Sequence, residues 1–285
     1  MKIINNLQTQ INYKSKDIHP LDLEYKKKIQ AGLKKTFQLN CKIEDLESIV
    51  APYELKKIIK NLQPKHYEIG EHYRANFHIH TDASDGNLTA ESFLEQCKNW
   101  ADKIFYKLKS KNNIDDKLPP FCAAITDHDR IYNVKRAIAI ISQSPEKFKN
   151  FKFVPGCEFL FHGYKEPHPA FEAVGLSFNP FDENLTPLMQ GFSSNNGIED
   201  VKKVITAGGI LSWAHPIITP DKINENFFQF LKNNNINGIE GYYQYIFADK
   251  EYVDKGKKIL EPLIKKFSMF CTGGTDTHGK SIFKR

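Results

Sequence analysis

His78 and His80 lie two residues apart in the run NFHIHTDASDG (76–86), behind a short stretch of strand-forming residues. Alternate side chains of a β-strand share a face, so both imidazoles point the same way from positions ~7 Å apart. Such a pair can converge on one metal ion or on two neighbouring ions. Asp85 follows in a turn-forming Ser-Asp-Gly, which can fold a hard oxygen ligand back over the strand end. An isolated His-x-His is also an ordinary surface pattern and does not define a site by itself.

Four later runs end in the same residue types. CAAITDHD (122–129) closes on Asp127, His128 and Asp129, and FVPGCEF (153–159) carries Glu158. GGILSWAHP (208–216) ends in His215, and CTGGTDTHG (271–279) ends in Asp276 and His278. Each motif alone has an ordinary reading as a turn or strand end. In the last one, the two glycines are expected to let the backbone approach an ion. The joint placement is what carries information: five of the ten histidines fall at the ends of four expected strands. Imidazole mixed with carboxylate, without thiolate, suits Zn, Mn or Fe(II) and argues against a purely structural zinc site. His78, His80, Asp85, His128, Glu158, His215, Asp276 and His278 are too many ligands for one tetrahedral ion. A carboxylate such as Glu158 can bridge, so two or three divalent ions are expected. Two metals ~3.5–4 Å apart activate water and stabilise the entering and leaving oxygens of a displacement at phosphorus.

These residues need a scaffold that gathers strand ends. From residue 71 onward, short β-type runs alternate with helical stretches. Strands are expected at 75–81, 122–128, 151–159, 173–178, 208–215, 236–243 and 267–276. Helices are expected at 89–109, 133–141, 197–207, 224–233 and 249–266. That alternation predicts parallel strands with helical crossovers, with functional residues at the strands' C-terminal ends. Seven strands in residues 71–285 fit an α/β fold, a small or incomplete (β/α) barrel, and residues 110–120 read as a polar loop. Residues 1–70 differ. Runs at 21–37 and 43–62 have helix-like apolar spacing rich in lysine and glutamate, with Pro52 breaking or restarting the second, so a helical N-terminal extension is expected.

Composition removes other classes. Hydrophobic content of 40% and charged content of 26% suit a soluble globular chain. No apolar run approaches the ~20 residues that span a bilayer, and the first twenty residues lack the apolar core of a signal peptide. A cytoplasmic protein without membrane partners is expected. The five cysteines are scattered and never form Cys-x-x-Cys, which argues against a disulfide framework or a zinc knuckle. The net charge of +6, spread over many lysines, would attract a phosphorylated substrate, but no stable duplex nucleic-acid binding is expected. Neither a P-loop nor a G-x-G-x-x-G motif is present.

Taken in order, NFHIHTDASDG, AITDHD, GCEF, AHP and GGTDTHG resemble the motif series of the PHP (polymerase and histidinol phosphatase) superfamily, most closely its stand-alone metal-dependent phosphoesterases. The resemblance covers roughly residues 74–279. It implies a distorted (β/α)7 barrel holding two or three Mn, Zn or Fe ions and hydrolysing phosphate esters. It would place His78, His80, Glu158 and Asp276 around one ion, with Glu158 bridging to a second held also by His215. Asp85, His128 and His278 would hold the third. Asn76 stands where many relatives have Asp, and it is read with Asp127, Asp129 and Arg130 as supporting the ligands or the substrate. One family ligand is missing: a histidine about a dozen residues after the glutamate. His168, Glu172 or His162 is expected to replace it, with His168 preferred.

The leading expectation is therefore hydrolysis of a small phosphorylated metabolite, a nucleotide or a short oligonucleotide by a hydroxide that the ions activate, with no catalytic side chain assigned. A metal-dependent amidohydrolase is the nearest alternative, although the bridging lysine typical of those barrels is not evident. A catalytically weak metal-binding module, whose N-terminal helices serve a partner, is the other.

Overall fold

A computed structural model describes residues 18–111, 118–162, 170–188, 196–245 and 249–283. The chain folds as mixed α/β around one curled sheet. Its strands are β1 (Ala75–Asn76), β2 (Phe121–Ile125), β3 (Phe151–His162), β4 (Phe171–Leu176), β5 (Asn196–Gly197), β6 (Ile210–Trp213), β7 (Gly238–Ile239) and β8 (Phe270–Cys271). They are ordered β1-β2-β3-β4-β6-β7-β8, with β5 pairing the end of β3. The curl is not closed by a regular ladder. Beyond β8 the chain runs beside the residues after β1 through a single bridge, Ile79–Thr277, with hydrogen bonds from Phe77 N to Gly273 O and from Asp276 N to His78 O.

One feature departs from the expected parallel arrangement. β4 runs antiparallel to both β3 and β6, while the remaining pairs are parallel. The N-terminal end of β4 therefore lies beside the C-terminal ends of its neighbours. Strand starts agree with the sequence pattern better than strand ends do. β1, β6, β7 and β8 stop short because their last residues leave the ladder to present side chains inward. Residues 197–207 were expected as one helix; they form a β-pair at Gly197, a short 3-10 turn and α5 (Val201–Thr206).

The inner face of the sheet grades from apolar to polar along β2, β3 and β4. Cys122 and Ala124 on β2 lead by period 2 to Thr126 and His128, and Val154 on β3 leads to Gly156 and Glu158. On the reversed β4, Leu176 and Val174 lead to Glu172. Ala75 and Phe77 pack in the same inner cluster, so the alternation of β1 breaks before His78, where the ladder has already ended.

The N-terminal helices belong to this architecture. α1 (Pro20–Phe37) starts at a proline and buries Ile29 and Leu33 in the main core. The run at 43–62 divides at Pro52, as its sequence suggests, into a 3-10 turn and α2 (Pro52–Asn61). Leu55, Ile58 and Ile59 of α2, with Leu62, cover the apolar floor of the inner face, at the end away from the acidic and imidazole residues. The Asp22 carboxylate of α1 accepts hydrogen bonds from Tyr53 N and Glu54 N, which caps α2 from a neighbouring helix.

The outer face is covered by α3 (Ala90–Ser110), α4 (Tyr132–Gln143), α6 (Glu225–Asn233) and α7 (Lys250–Lys266). Side chains of Thr89, Asn224 and Asp249 cap three of them. Among the described residues, no helix is long and apolar enough to cross a membrane.

Candidate metal centre

At the end of the curl opposite α2, eight side chains meet: His78, His80, Asp85, His128, Glu158, Glu172, His215 and Asp276, with His278 at the rim. The innermost are His78 Nε2, His80 Nε2, Glu158 Oε2 and Asp276 Oδ1. His78 Nε2 lies 3.1 Å from His80 Nε2, 3.1 Å from Glu158 Oε2 and 3.5 Å from Asp276 Oδ1. His80 Nε2 lies 3.3 Å from Glu158 Oε2 and 3.1 Å from Asp276 Oδ1. A tetrahedral ion with bonds of ~2.1 Å holds its ligands about 3.4 Å apart. These five separations are close to that spacing, and His78, His80 and Glu158 form one compact donor group with Asp276 beside the two imidazoles.

The donors are also aimed as ligands. His78 Nδ1 faces both oxygens of Glu240 at 3.0 and 3.1 Å, so its proton belongs on Nδ1 and its Nε2 lone pair faces the quartet. The Tyr243 hydroxyl donates to Asp276 Oδ2 at 2.6 Å and leaves Oδ1 facing inward. Glu158 Oε2 is buried and accepts no hydrogen bond from any described residue, although three imidazole nitrogens stand 3.1–3.3 Å away. An orphaned buried carboxylate oxygen is costly unless a cation serves it.

A second group adjoins through the other oxygen of Glu158. His215 Nε2 is 3.0 Å from Glu158 Oε1 and 3.2 Å from Glu172 Oε2. A third lies toward solvent, where Asp85 Oδ2 is 3.0 Å from His278 Nε2 and 3.8 Å from His128 Nε2. His278 Nδ1 sits 3.0 Å from the Asp276 carbonyl, a contact that fixes the tautomer leaving Nε2 free for a ligand bond. His80 Nδ1 is 3.4 Å from Asp85 Oδ1, so this ring belongs to the innermost quartet and steadies the third group. His128 turns Nδ1 toward Glu158 at 3.2 Å and Nε2 toward Asp85.

The charge balance calls for added positive charge. Among the described residues, the ion pairs of Asp85, Glu158, Glu172 and Glu240 are all with imidazoles, and none is with lysine or arginine. Burial alone would raise the Glu158 carboxyl, but His78, His215 and His80 outweigh it and hold it well below the usual carboxylate range. Asp276 behaves alike, with His78 and His80 overcoming its burial. His78 and His80 respond in reverse. Burial disfavours their charge, yet neighbouring carboxylates, Glu158 and Glu240 for His78 and Asp276 and Asp85 for His80, push both well above the ordinary imidazole value. Asp85 is held at about 2, because the imidazoles around it overcome its partial burial. His128 is lowered to about 4, chiefly by burial, and is neutral in the form that binds metals.

Local backbone conformations aim these groups. His215 has φ 28° and Asp276 φ 47°, both in the left-handed region that non-glycine residues rarely adopt. The His215 N–H donates to Glu240 Oε2 at 2.9 Å, which pins the turn. Gly273 and Gly274 make room for other segments of the chain. A Cβ on Gly274 would collide with His78, and one on Gly273 would lie 2.5 Å from Tyr242 O. These glycines admit neighbouring chain segments.

The supporting residues are now placed. Asn76 donates from Nδ2 to Thr275 Oγ1 and to Ile282 O, and it accepts from Thr275 N at Oδ1. A carboxylate could not supply those donors, which gives a physical reason for Asn here. Asp127 accepts from Thr81 N, Thr81 Oγ1 and Ser84 Oγ, and so ties down the turn that carries Asp85. Asp129 is buried, accepts from Asn196 Nδ2, and donates its N–H to Glu158 O. Both carboxylates are buried and anchor the chain segments around the site. Arg130 is exposed. Of the three expected replacements for the missing histidine, Glu172 stands in the cluster. His162, at the end of β3, joins none of the ligand groups among the described residues, and His168 lies outside those residues.

Two contributors escaped the sequence reading. Glu240 ends the INGIEG run one residue after β7, but it has no neighbouring histidine to draw attention to it. Tyr243 follows three residues later. The usable signal for Glu240 was its position alone: a lone acid at the end of an apolar strand. No family model matches this sequence, and no curated protein matches it significantly.

Proposed function

We propose that this chain is a metal-dependent phosphoesterase of the PHP type, with its curled sheet forming a distorted (β/α)7 barrel. The single observation that carries the reading is the shared carboxylate: Glu158 turns Oε2 toward the buried imidazoles of His78 and His80 and Oε1 toward a second group. Contiguous sites linked by one carboxylate suit two or three divalent ions, of the Mn, Zn or Fe class. When bound, such ions lower the pKa of water and neutralise the oxygens of a phosphoryl group.

The chain's own residues divide the remaining work. His78, His80, Glu158 and Asp276 form the buried base, oriented by Glu240 and Tyr243. Asp85, Glu172 and His278 are partly exposed and border the mouth through which a substrate reaches the centre. Lysines spread over a chain of net charge +6 draw an anionic ester toward that mouth. No side-chain nucleophile is required. Small phosphorylated metabolites, nucleotides and short oligonucleotides are the substrate classes that this chemistry serves.

The test is an assay of the purified chain, stripped by chelator and reloaded with Mn2+, against a panel of phosphomonoesters and phosphodiesters. Metal-dependent turnover of at least one class is expected. Metal retention with no turnover of any of them would refute the phosphoesterase reading.

A further inference from the structure

The residue that occupies the position of the missing histidine is a carboxylate, and its placement has consequences for which ion binds there. Glu172 opens β4, pairing with Leu160 while Glu158 pairs with Val174. Residues paired across an antiparallel ladder share a face, so the two glutamates are diagonal neighbours on the inner side. The Glu172 carbonyl accepts from Ala214 N at 2.9 Å, which fixes its backbone beside His215. Its Oε2 then lies 3.2 Å from His215 Nε2, whose other carboxylate neighbour is Glu158 Oε1 at 3.0 Å.

The second observation is Glu158 itself. Its side chain is 1% exposed, and its Oε2 is left without a hydrogen bond beside the imidazoles. Glu158 thus points Oε2 into the innermost group, where the oxygen calls for a cation, and Oε1 toward His215 in the adjoining one. The two groups differ in donors and in access. The innermost quartet has two imidazoles and two carboxylates, with side chains 0–6% exposed. The adjoining group joins His215 Nε2 to the two carboxylates, with His128 Nδ1 at its edge 4.0 Å from Glu172 Oε1, and Glu172 is 31% exposed. Carboxylate-rich sets favour Mn2+ and other hard ions, whereas added imidazole moves preference toward Zn2+.

Resting on the metal-centre reading above, we infer that Glu172 is the third protein ligand of a distinct ion site with Glu158 and His215, selective for Mn2+ or Fe2+ over Zn2+ and exchanging its ion faster than the buried site does. Glu172 thereby sets a mixed-metal preference within one centre. The antiparallel entry of β4 is what brings it there.

The experiment uses the full chain and reads metal content, not turnover. Wild type, Glu172→Gln and Glu172→His are stripped with chelator, equilibrated with equal Mn2+ and Zn2+, desalted and analysed for metal per chain. Mn2+ affinity is measured separately by titration. The wild type is expected to hold both metals. Glu172→Gln should lose about one equivalent, mainly Mn2+, with Mn2+ affinity down about 10–100-fold. Glu172→His should keep the wild-type total while exchanging Mn2+ for Zn2+, which also shows that the fold survives substitution at this position. Wild-type Mn2+ content and affinity in Glu172→Gln would overturn the inference. A wild type that binds fewer than two ions would overturn both this inference and the metal-centre reading. Because turnover is not read, a failure of phosphoester hydrolysis would refute the proposed reaction alone.

Discussion

Glu240 shows how much of this centre depends on residues that would not touch an ion. It is fully buried, faces His78 Nδ1 with both oxygens, and holds the His215 N–H. One carboxylate therefore fixes the tautomer of a ligand in the innermost quartet and the backbone of a ligand in the adjoining group. Carboxylates behind metal-bound histidines typically contribute 10–100-fold in affinity. Glu240→Gln keeps the shape but weakens the charge-assisted bond, so metal retention against a competing chelator should fall by about 10-fold. Retention equal to wild type would show that His78 is oriented by packing alone. At this scale the sequence was informative where chemistry repeated. His78, His80, His128, His215, Asp276 and His278 each close a strand-like run, and the fold brings them together. Glu240 lacks a companion, and Glu172 opens a strand instead of closing one, so only the gap in the motif series points to it, alongside His162 and His168.

At the scale of elements, short strands explain both the success and the misses. β1, β7 and β8 have two residues each in regular ladder, yet the apolar runs that announce them are three to five times longer. The surplus residues are those that turn inward at the site, so a local period-2 pattern finds the strand and overstates its length. The direction of β4 is a non-local property, decided by its neighbours β3 and β6, and alternating β and α signals assign it wrongly. Close approach between elements is similarly hidden. Gly274 lets the chain after β8 lie against His78, and nothing within GGTDTHG distinguishes that need from a simple turn. Gly274→Ala should destabilise the fold by about 1–3 kcal/mol, the usual cost of overpacking, and displace His78. Urea denaturation would measure the first effect, and an unchanged midpoint would contradict the packing account.

At the scale of the whole molecule, the curled sheet has a polar end and an apolar end, and the N-terminal helices close the apolar one. The polar end concentrates buried charge, which couples stability to pH. In the metal-free chain His78 and His80 titrate well above an ordinary imidazole because nearby carboxylates outweigh burial. Their folded values exceed the unfolded ones. The stability they contribute is therefore complete below pH ~6.5 and is lost as pH rises through the raised values. Glu158 and Asp276 are depressed, and their contribution is present above pH ~4.3 and lost on acidification. The metal-free protein should be most stable between these limits and should weaken toward alkaline pH. Metal binding requires neutral imidazoles and releases protons, so the loaded protein should gain stability over the same rise. Thermal melts at about pH 6 and about pH 8 should then shift in opposite directions for stripped and Mn2+-loaded protein. Parallel shifts would contradict the linkage.

The central claim is that one carboxylate, Glu158, joins contiguous ion sites at the polar end of the sheet. The most direct measurement is the number of divalent ions per chain, by elemental analysis of protein reloaded with Mn2+ and desalted. Two or three ions per chain are predicted, falling by more than one when Glu158 is replaced by Gln. One ion or none in the wild-type chain would contradict the account.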